Sequence, residues 1–385
     1  MRSFASPALL LIIGAGAGLP GCLSSTGNAL THDGGVAVGD AGIDPASDPD
    51  DQDAIQYRDL SSHPGCSTAG LTYTPAQIPG YPCAAKEYAP AGADDPAKPI
   101  VLLVHGNSSS PHDWEICQKG PEPVTAKCTT DATPMLSERI VAAGYHAFAV
   151  DMRSDLSDDP TTNDPKTGNP AKNMDHAWGV PIVESFIDSV MTANPDRQVS
   201  IVAFSYGPMV VRDALRRLHR AGKQPFARIR DLVFASGGHH GVSTFRKLCI
   251  DPTNPSNVTM AGHCACEMGD RQAFTPTTFD TPLNGPGGAF ETPCLDGSTA
   301  YGQSGVCGGN AVRYTTIVMR DISQGTYQDE FVSEAAAALQ GADNQKLQLT
   351  DQDQTGYFYS PLFKNHFGSI RSEAGLTAIT TALFR

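Results

Sequence analysis

A serine hydroxyl becomes a nucleophile only where the chain presents it to a base, and one stretch here is built to present one. Val199, Ser200, Ile201, Val202, Ala203 and Phe204 form a β-rich apolar run that stops at Ser205, and Tyr206, Gly207 and Pro208 follow. Apolar positions then recur at Val210, Val211, Ala214, Leu215 and Leu218, the period of one helix face. The stretch therefore reads as strand, sharp turn, helix, with Ser205 on the turn. Such a turn strains the backbone at the serine and needs small neighbours, here Ala203 and Gly207, where strand and helix crowd together. The hydroxyl stands at a helix N-terminus, whose amides favour developing negative charge. A structural serine in a strand-to-helix turn would carry the same letters, so the partners must come from the rest of the chain.

The flanking elements are those of a sheet wound by helices. Ile100 to Val104 is a continuous apolar run, as in a parallel strand buried on both faces, and it ends at His105, Gly106 and Asn107. Met135 to Gly144 reads as a helix with a glycine stop, and Tyr145 to Val150 as the next strand. A loop rich in Asp, Asn, Pro and Thr leads to a helix over 174–193, which hands the chain to the Ser205 strand. Leu232 to Ala235 is another buried strand, running into Ser236, Gly237, Gly238, His239 and His240. Arg313 to Met319 and Lys346 to Leu349 are the later strands, and a terminal helix follows His366. Alternation of this kind implies α/β class, a mostly parallel twisted sheet with right-handed crossovers, flanked by helices.

On the elbow at Ser205 and the His105-Gly106 turn, the chain resembles the α/β-hydrolase superfamily. Within it the resemblance is to the secreted bacterial lipase and polyhydroxyalkanoate-depolymerase-like branch, whose elbow often carries Ala at the first small position. The resemblance implies the chain order serine, acid, histidine. After His263 the chain has one histidine, His366, which becomes the expected base. The acid belongs in the loop after the 313–319 strand, which offers Asp321, Asp329 and Glu330. Asp329 is expected because an apolar pair, Phe331 and Val332, follows at the start of the next helix; Asp321, closest to the strand end, is the alternative. The resemblance also implies backbone N–H donors at Asn107 and Tyr206 for the oxyanion of a tetrahedral intermediate. It implies a serine hydrolase of carboxylic esters, small or polymeric, needing no cofactor. Amidases and acyltransferases share the constellation. The alternative from another class is a non-catalytic envelope lipoprotein that uses the fold as a binding module.

The chain has 385 residues, 40% of them hydrophobic, enough for one large α/β domain or two ordinary ones. A formal charge of -14 argues against a nucleic-acid partner. Met1 and Arg2 followed by an apolar run over 8–19 have the form of an export signal too short to span a membrane. Leu19, Pro20, Gly21 and Cys22 resemble a bacterial lipobox, which would make the chain a cell-envelope lipoprotein anchored at Cys22, its only link to a membrane; cleavage and release is the alternative. Residues 23–62 are rich in Gly, Ser, Asp and Ala and read as a flexible acidic tether, leaving 63–385 as the catalytic domain. Ten cysteines in an exported chain imply disulfides. With Cys22 set aside, local spacing suggests Cys66 with Cys83, Cys117 with Cys128, Cys294 with Cys307, and Cys249 with Cys264 or Cys266. Residues 242–310 are then a disulfide-rich insertion, read as a lid or substrate-binding wall. His239, His240, His263, Cys264 and Cys266 invite a zinc reading, but their spacing is no recognised zinc pattern and no metal is expected. Tyr357, Phe358, Tyr359, Leu362 and Phe363, beside His366, would line an acyl pocket or pack in the core.

Overall fold

The computed structural model describes residues 73–81, 84–106, 110–115, 134–152, 176–242, 283–284, 288–300, 303–304, 307–320, 327–349 and 364–385. The export signal, Cys22 and the tether lie outside the described residues, as do Asn107, Asp321, the aromatic group at 357–363 and every cysteine except Cys294 and Cys307.

The strands are β1 (Ala85–Tyr88), β2 (Ile100–Val104), β3 (Ala147–Val150), β4 (Val199–Phe204), β5 (Ile229–Ala235), β6 (Thr299–Ala300), β7 (Gln303–Ser304), β8 (Arg313–Arg320) and β9 (Asp343–Gln348). The helices are α1 (Leu136–Ala142), α2 (His176–Ala193), α3 (Gly207–Arg220), α4 (Glu334–Ala337), α5 (Lys364–Arg371) and α6 (Glu373–Phe384). Seven strands make one sheet in the order β1-β3-β2-β4-β5-β8-β9, in which β1 pairs antiparallel with β3 and every other pairing is parallel. β6 and β7 form a separate two-stranded hairpin.

The sheet is buried on both faces because its central strands have no polar side to turn outward. Leu102 and Val104 of β2, Ile201 and Ala203 of β4, and Leu232 and Phe234 of β5 join one core with Phe186, Ile187 and Val190 of α2 and Val210 and Leu215 of α3. The alternate residues Val101, Leu103, Val202, Phe204, Val233 and Ala235 join the opposite core with Ile140 of α1, Ile370 of α5, and Leu376, Ile379 and Leu383 of α6. Period-two alternation thus feeds two helical layers from the same strands.

β9 begins three residues earlier than its apolar signal. Asp343, Asn344 and Lys346 are exposed, and the strand forms by pairing Thr315–Arg320 of β8 with Asp343–Gln348. Asn344 anchors it: its Oδ1 accepts from Leu339 N–H at 2.9 Å and from Thr316 Oγ1 at 2.7 Å, and its Nδ2 donates to Leu339 O. A polar sheet edge of this kind discourages further pairing and leaves little hydrophobic pattern to read.

Chain order reverses between β2 and β4: β3 and β1 are laid on one side, and β5, β8 and β9 on the other. A reversal of this kind is where open α/β sheets place their ligand sites. Of the 242–310 span, the described parts are moored rather than free. Arg212 of α3 donates to Leu283 O at 2.7 Å and to Asn284 Oδ1 at 2.8 Å, Tyr314 Oη donates to Pro293 O, and Thr292 Oγ1 donates to Gln340 O. Cys294 and Cys307 form the expected disulfide. Among the described residues no helix is long and apolar enough to cross a membrane.

Candidate active site

Ser205 occupies the turn between β4 and α3 with φ of +59°. A left-handed backbone at a serine is sterically costly and persists only where the surroundings impose it. Here they do. A Cβ on Gly207 would lie 2.7 Å from Val104 O and 2.8 Å from His105 O, and one on Gly106 would lie 2.7 Å from Ser205 Cβ. The end of β2 and the start of α3 can approach this closely only through glycine. Ser205 N–H donates to Ala235 O at 2.9 Å, locking the elbow to β5. Pro208 enters the first helical turn, where a missing N–H costs nothing.

His366 lies in the first turn of α5 and is buried. Its Nδ1 is 2.8 Å from Asp329 Oδ2, and its Nε2 is 2.8 Å from Ser205 Oγ. A carboxylate only accepts, so Nδ1–H donates to Asp329 and Nε2 is left to accept from the serine hydroxyl. Phe204 and Phe331 flank the imidazole at 5.0 and 4.9 Å between ring centres. Asp329 is completely buried, and its second oxygen accepts from the N–H groups of Phe331 and Val332 at 2.7 and 2.6 Å. Both oxygens of the buried carboxylate are thus engaged, as a desolvated charge requires.

The chain has the α/β-hydrolase fold.

No family model matches the chain, and no curated protein matches it either. Among solved structures it is similar to the mature lipase BlEst2 of Bacillus licheniformis, at 13% identity over 77% of this chain and 95% of that one, with a TM-score of 0.42. The NocB thioesterase domain from the nocardicin cluster gives 12% identity over 78% of this chain and 99% of that one, with a TM-score of 0.39. A lipase-esterase related protein from Clostridium acetobutylicum gives 11% identity over 78% of this chain and 98% of that one, with a TM-score of 0.38.

In this hydrolase fold the loop after β2 is held at its base by His105. The buried imidazole donates from Nδ1 to Gly106 O at 2.9 Å and accepts the Met152 N–H on Nε2 at 3.1 Å, tying the loop to the end of β3. Asn107, the expected donor in that loop, is outside the described residues. Tyr206, the other expected donor, is buried at the start of α3, and its backbone stands beside the serine. Beyond the loop, Asp113 lies in a 3-10 turn over Pro111–Trp114 and pairs with Arg371 of α5, both side chains buried. Arg371 also stacks over Phe367, with 4.5 Å from the guanidinium carbon to the ring centre.

The loop after β5 packs against the elbow. Burial pushes the His239 imidazole well below the usual histidine range, with Arg212 and His240 adding to the effect, so it is neutral. His240 bridges Ala335 O at 2.8 Å and Glu291 Oε1 at 3.1 Å. No group of three or more metal-ligating side chains occurs among the described residues, and His263, Cys264 and Cys266 are outside them. Glu330 is the residue whose part in the site sequence reasoning missed. Present there only as one of three acids in a loop, it accepts from the backbone N–H groups of Asn365 and His366.

Proposed function

We propose that the protein is an exported serine hydrolase acting on carboxylic esters. The observation that carries this reading is the hydrogen-bonded chain from Ser205 Oγ through His366 to the buried Asp329, with 2.8 Å at each link. Ser205 Oγ attacks the ester carbonyl while His366 Nε2 takes its proton, and Asp329 holds Nδ1–H and stabilises the imidazolium. The oxyanion is received by the Tyr206 N–H at the head of α3 and by the Asn107 N–H; one such donor is worth about 3 kcal/mol. His366 returns the proton to the leaving alcohol. Water, deprotonated by the same histidine, then releases the acid from the acyl-enzyme. Esters of hydrophobic acyl chains, including polyesters, are the substrates proposed.

The test is hydrolysis of p-nitrophenyl esters from acetate to palmitate by the wild type and by Ser205→Ala. Activity that disappears in the variant supports the reading, and the chain-length profile separates esterase from lipase behaviour. A folded wild type no faster than Ser205→Ala on every ester overturns it in favour of an amidase or a binding module.

A further inference from the structure

We propose that Glu330 is a positioning residue that sets the place of the His366 imidazole, an inference that rests on the serine-hydrolase reading. The first four amides of a helix have no acceptor within it. In α5 those amides belong to Lys364, Asn365, His366 and Phe367, so the candidate base is itself an orphan donor. Glu330 takes two of them. Its Oε1 accepts from Asn365 N–H at 3.0 Å and from Asn365 Nδ2 at 3.0 Å, and its Oε2 accepts from His366 N–H at 2.8 Å. Three donors converge on one carboxylate supplied by a different element.

Two other helices are capped more simply. Ser333 and Ser372 each precede their own helix, α4 or α6, and each hydroxyl accepts from one amide, of Ala336 and Gly375 respectively. Helix stability needs no more than that. At α5 the cap is tied to the residue beside it: Asp329 holds the ring of His366, and Glu330 holds its backbone. Both acids belong to one tight turn, in which Asp329 accepts from Phe331 and Val332 and donates its own N–H to Val332 O. With the Cα fixed by one carboxylate and Nδ1 by the next, little freedom remains for Nε2, which must meet Ser205. A misplacement of about 1 Å at a reacting group can slow a reaction on the order of 100-fold.

The experiment compares the wild type with Glu330→Gln, Glu330→Asp and Asn365→Ala on p-nitrophenyl butyrate, with melting temperature measured for each. A glutamine keeps the shape but turns an NH2 toward an N–H. We expect Glu330→Gln to lower kcat by about 10- to 100-fold with KM within about twofold and the fold retained. Glu330→Asp should recover part of the loss. A kcat of Glu330→Gln within about twofold of wild type, whatever its melting temperature, overturns the proposal. Should Glu330→Gln not fold, Asn365→Ala decides: a fall in kcat of about threefold or more supports the role, and an unchanged kcat overturns it. A second readout needs no turnover. The downfield proton resonance of His366 Nδ1–H should be sharp in the wild type and broadened in Glu330→Gln; an unaltered resonance overturns positioning. If the wild type shows no Ser205-dependent hydrolysis, the hydrolase reading fails and this resonance alone judges the role of Glu330.

Discussion

Ser205 sits where a strand end and a helix start approach so closely that positions 106 and 207 have no room for a Cβ, whereas His366, 2.8 Å away, is held by the side chains of Asp329 and Glu330. One side of the site is positioned by excluded volume inside a parallel sheet, and the other by directed hydrogen bonds from the turn that carries Asp329 and Glu330. Steric positioning is rigid and insensitive to charge. Positioning by carboxylates is adjustable but depends on every acceptor being present and ionised. The two should fail in different ways.

The largest effect is expected where both sides meet. Ser205→Ala and His366→Ala should each lower kcat/KM by on the order of 10⁴-fold or more, and the double variant should be no worse than either, as for groups that act as a unit. Additive losses measured by ester hydrolysis would break the coupling. Asp329→Asn belongs in the same class, on the order of 10³- to 10⁴-fold, because the amide cannot satisfy the Phe331 and Val332 N–H groups and still accept from His366 Nδ1–H.

Next comes the link between the two sides. Asp113→Ala leaves the Arg371 guanidinium without its carboxylate in a buried site, which should cost about 3–5 kcal/mol in a denaturant titration. Pairing Asp113→Leu with Arg371→Met should recover much of that loss, since breaking a buried ion pair costs more than replacing both partners. Recovery smaller than a third would mean the pair does more than cancel charge.

A purely steric lesion should follow. Gly207→Ala pushes a methyl onto Val104 O and His105 O and should destabilise by about 1–3 kcal/mol, with kcat falling in the same variant as the elbow shifts. Unchanged kcat would separate the packing of the elbow from its chemistry.

The smallest effect tests whether charge reaches the serine's side at all. Burial, opposed by Arg217 and reinforced by Asp213 and Asp188, raises Glu184 of α2 from 4.5 to about 6. An acid raised on folding favours the folded state below its unfolded value, and that contribution is lost as pH climbs through the folded one. Glu184→Gln should therefore flatten the fall in stability between pH 4.5 and about 6, a change of no more than about 2 kcal/mol, and leave kcat unaltered. Thermal melts across that range would check it.

The same contrast decides what the sequence could disclose. Steric positioning leaves marks at fixed spacing: the apolar runs of β2, β4 and β5 and the glycine at 207 are local and necessary, so the sheet and the elbow that carries Ser205 could be read directly. His366 was reachable as the lone late histidine, and Asp329 from the apolar pair behind it. The supports of the histidine left no such mark. Asp113 and Arg371 are 258 positions apart, and nothing in either segment names the other. Glu330 was visible as an acid but not as a cap, because the helix it caps begins more than thirty residues later. β9 escaped full delimitation because an edge strand can be polar, and β1, with Lys86 and Glu87 among its four residues, is the same case at the opposite edge.

The order of the elements along the chain also sets a timetable. During synthesis the chain delivers β1 to β5, with Ser205 in its elbow, well before β8 and β9, and His366 follows every strand of the sheet. A domain generally folds as a unit, and here the core that covers one face of β2, β4 and β5 includes α5 and α6, so Ser205 is delivered long before the elements that complete its surroundings. On the proposed mechanism, such a partly made chain carries an inert hydroxyl. On that mechanism hydrolytic competence would come only with α5, after the last strand of the sheet.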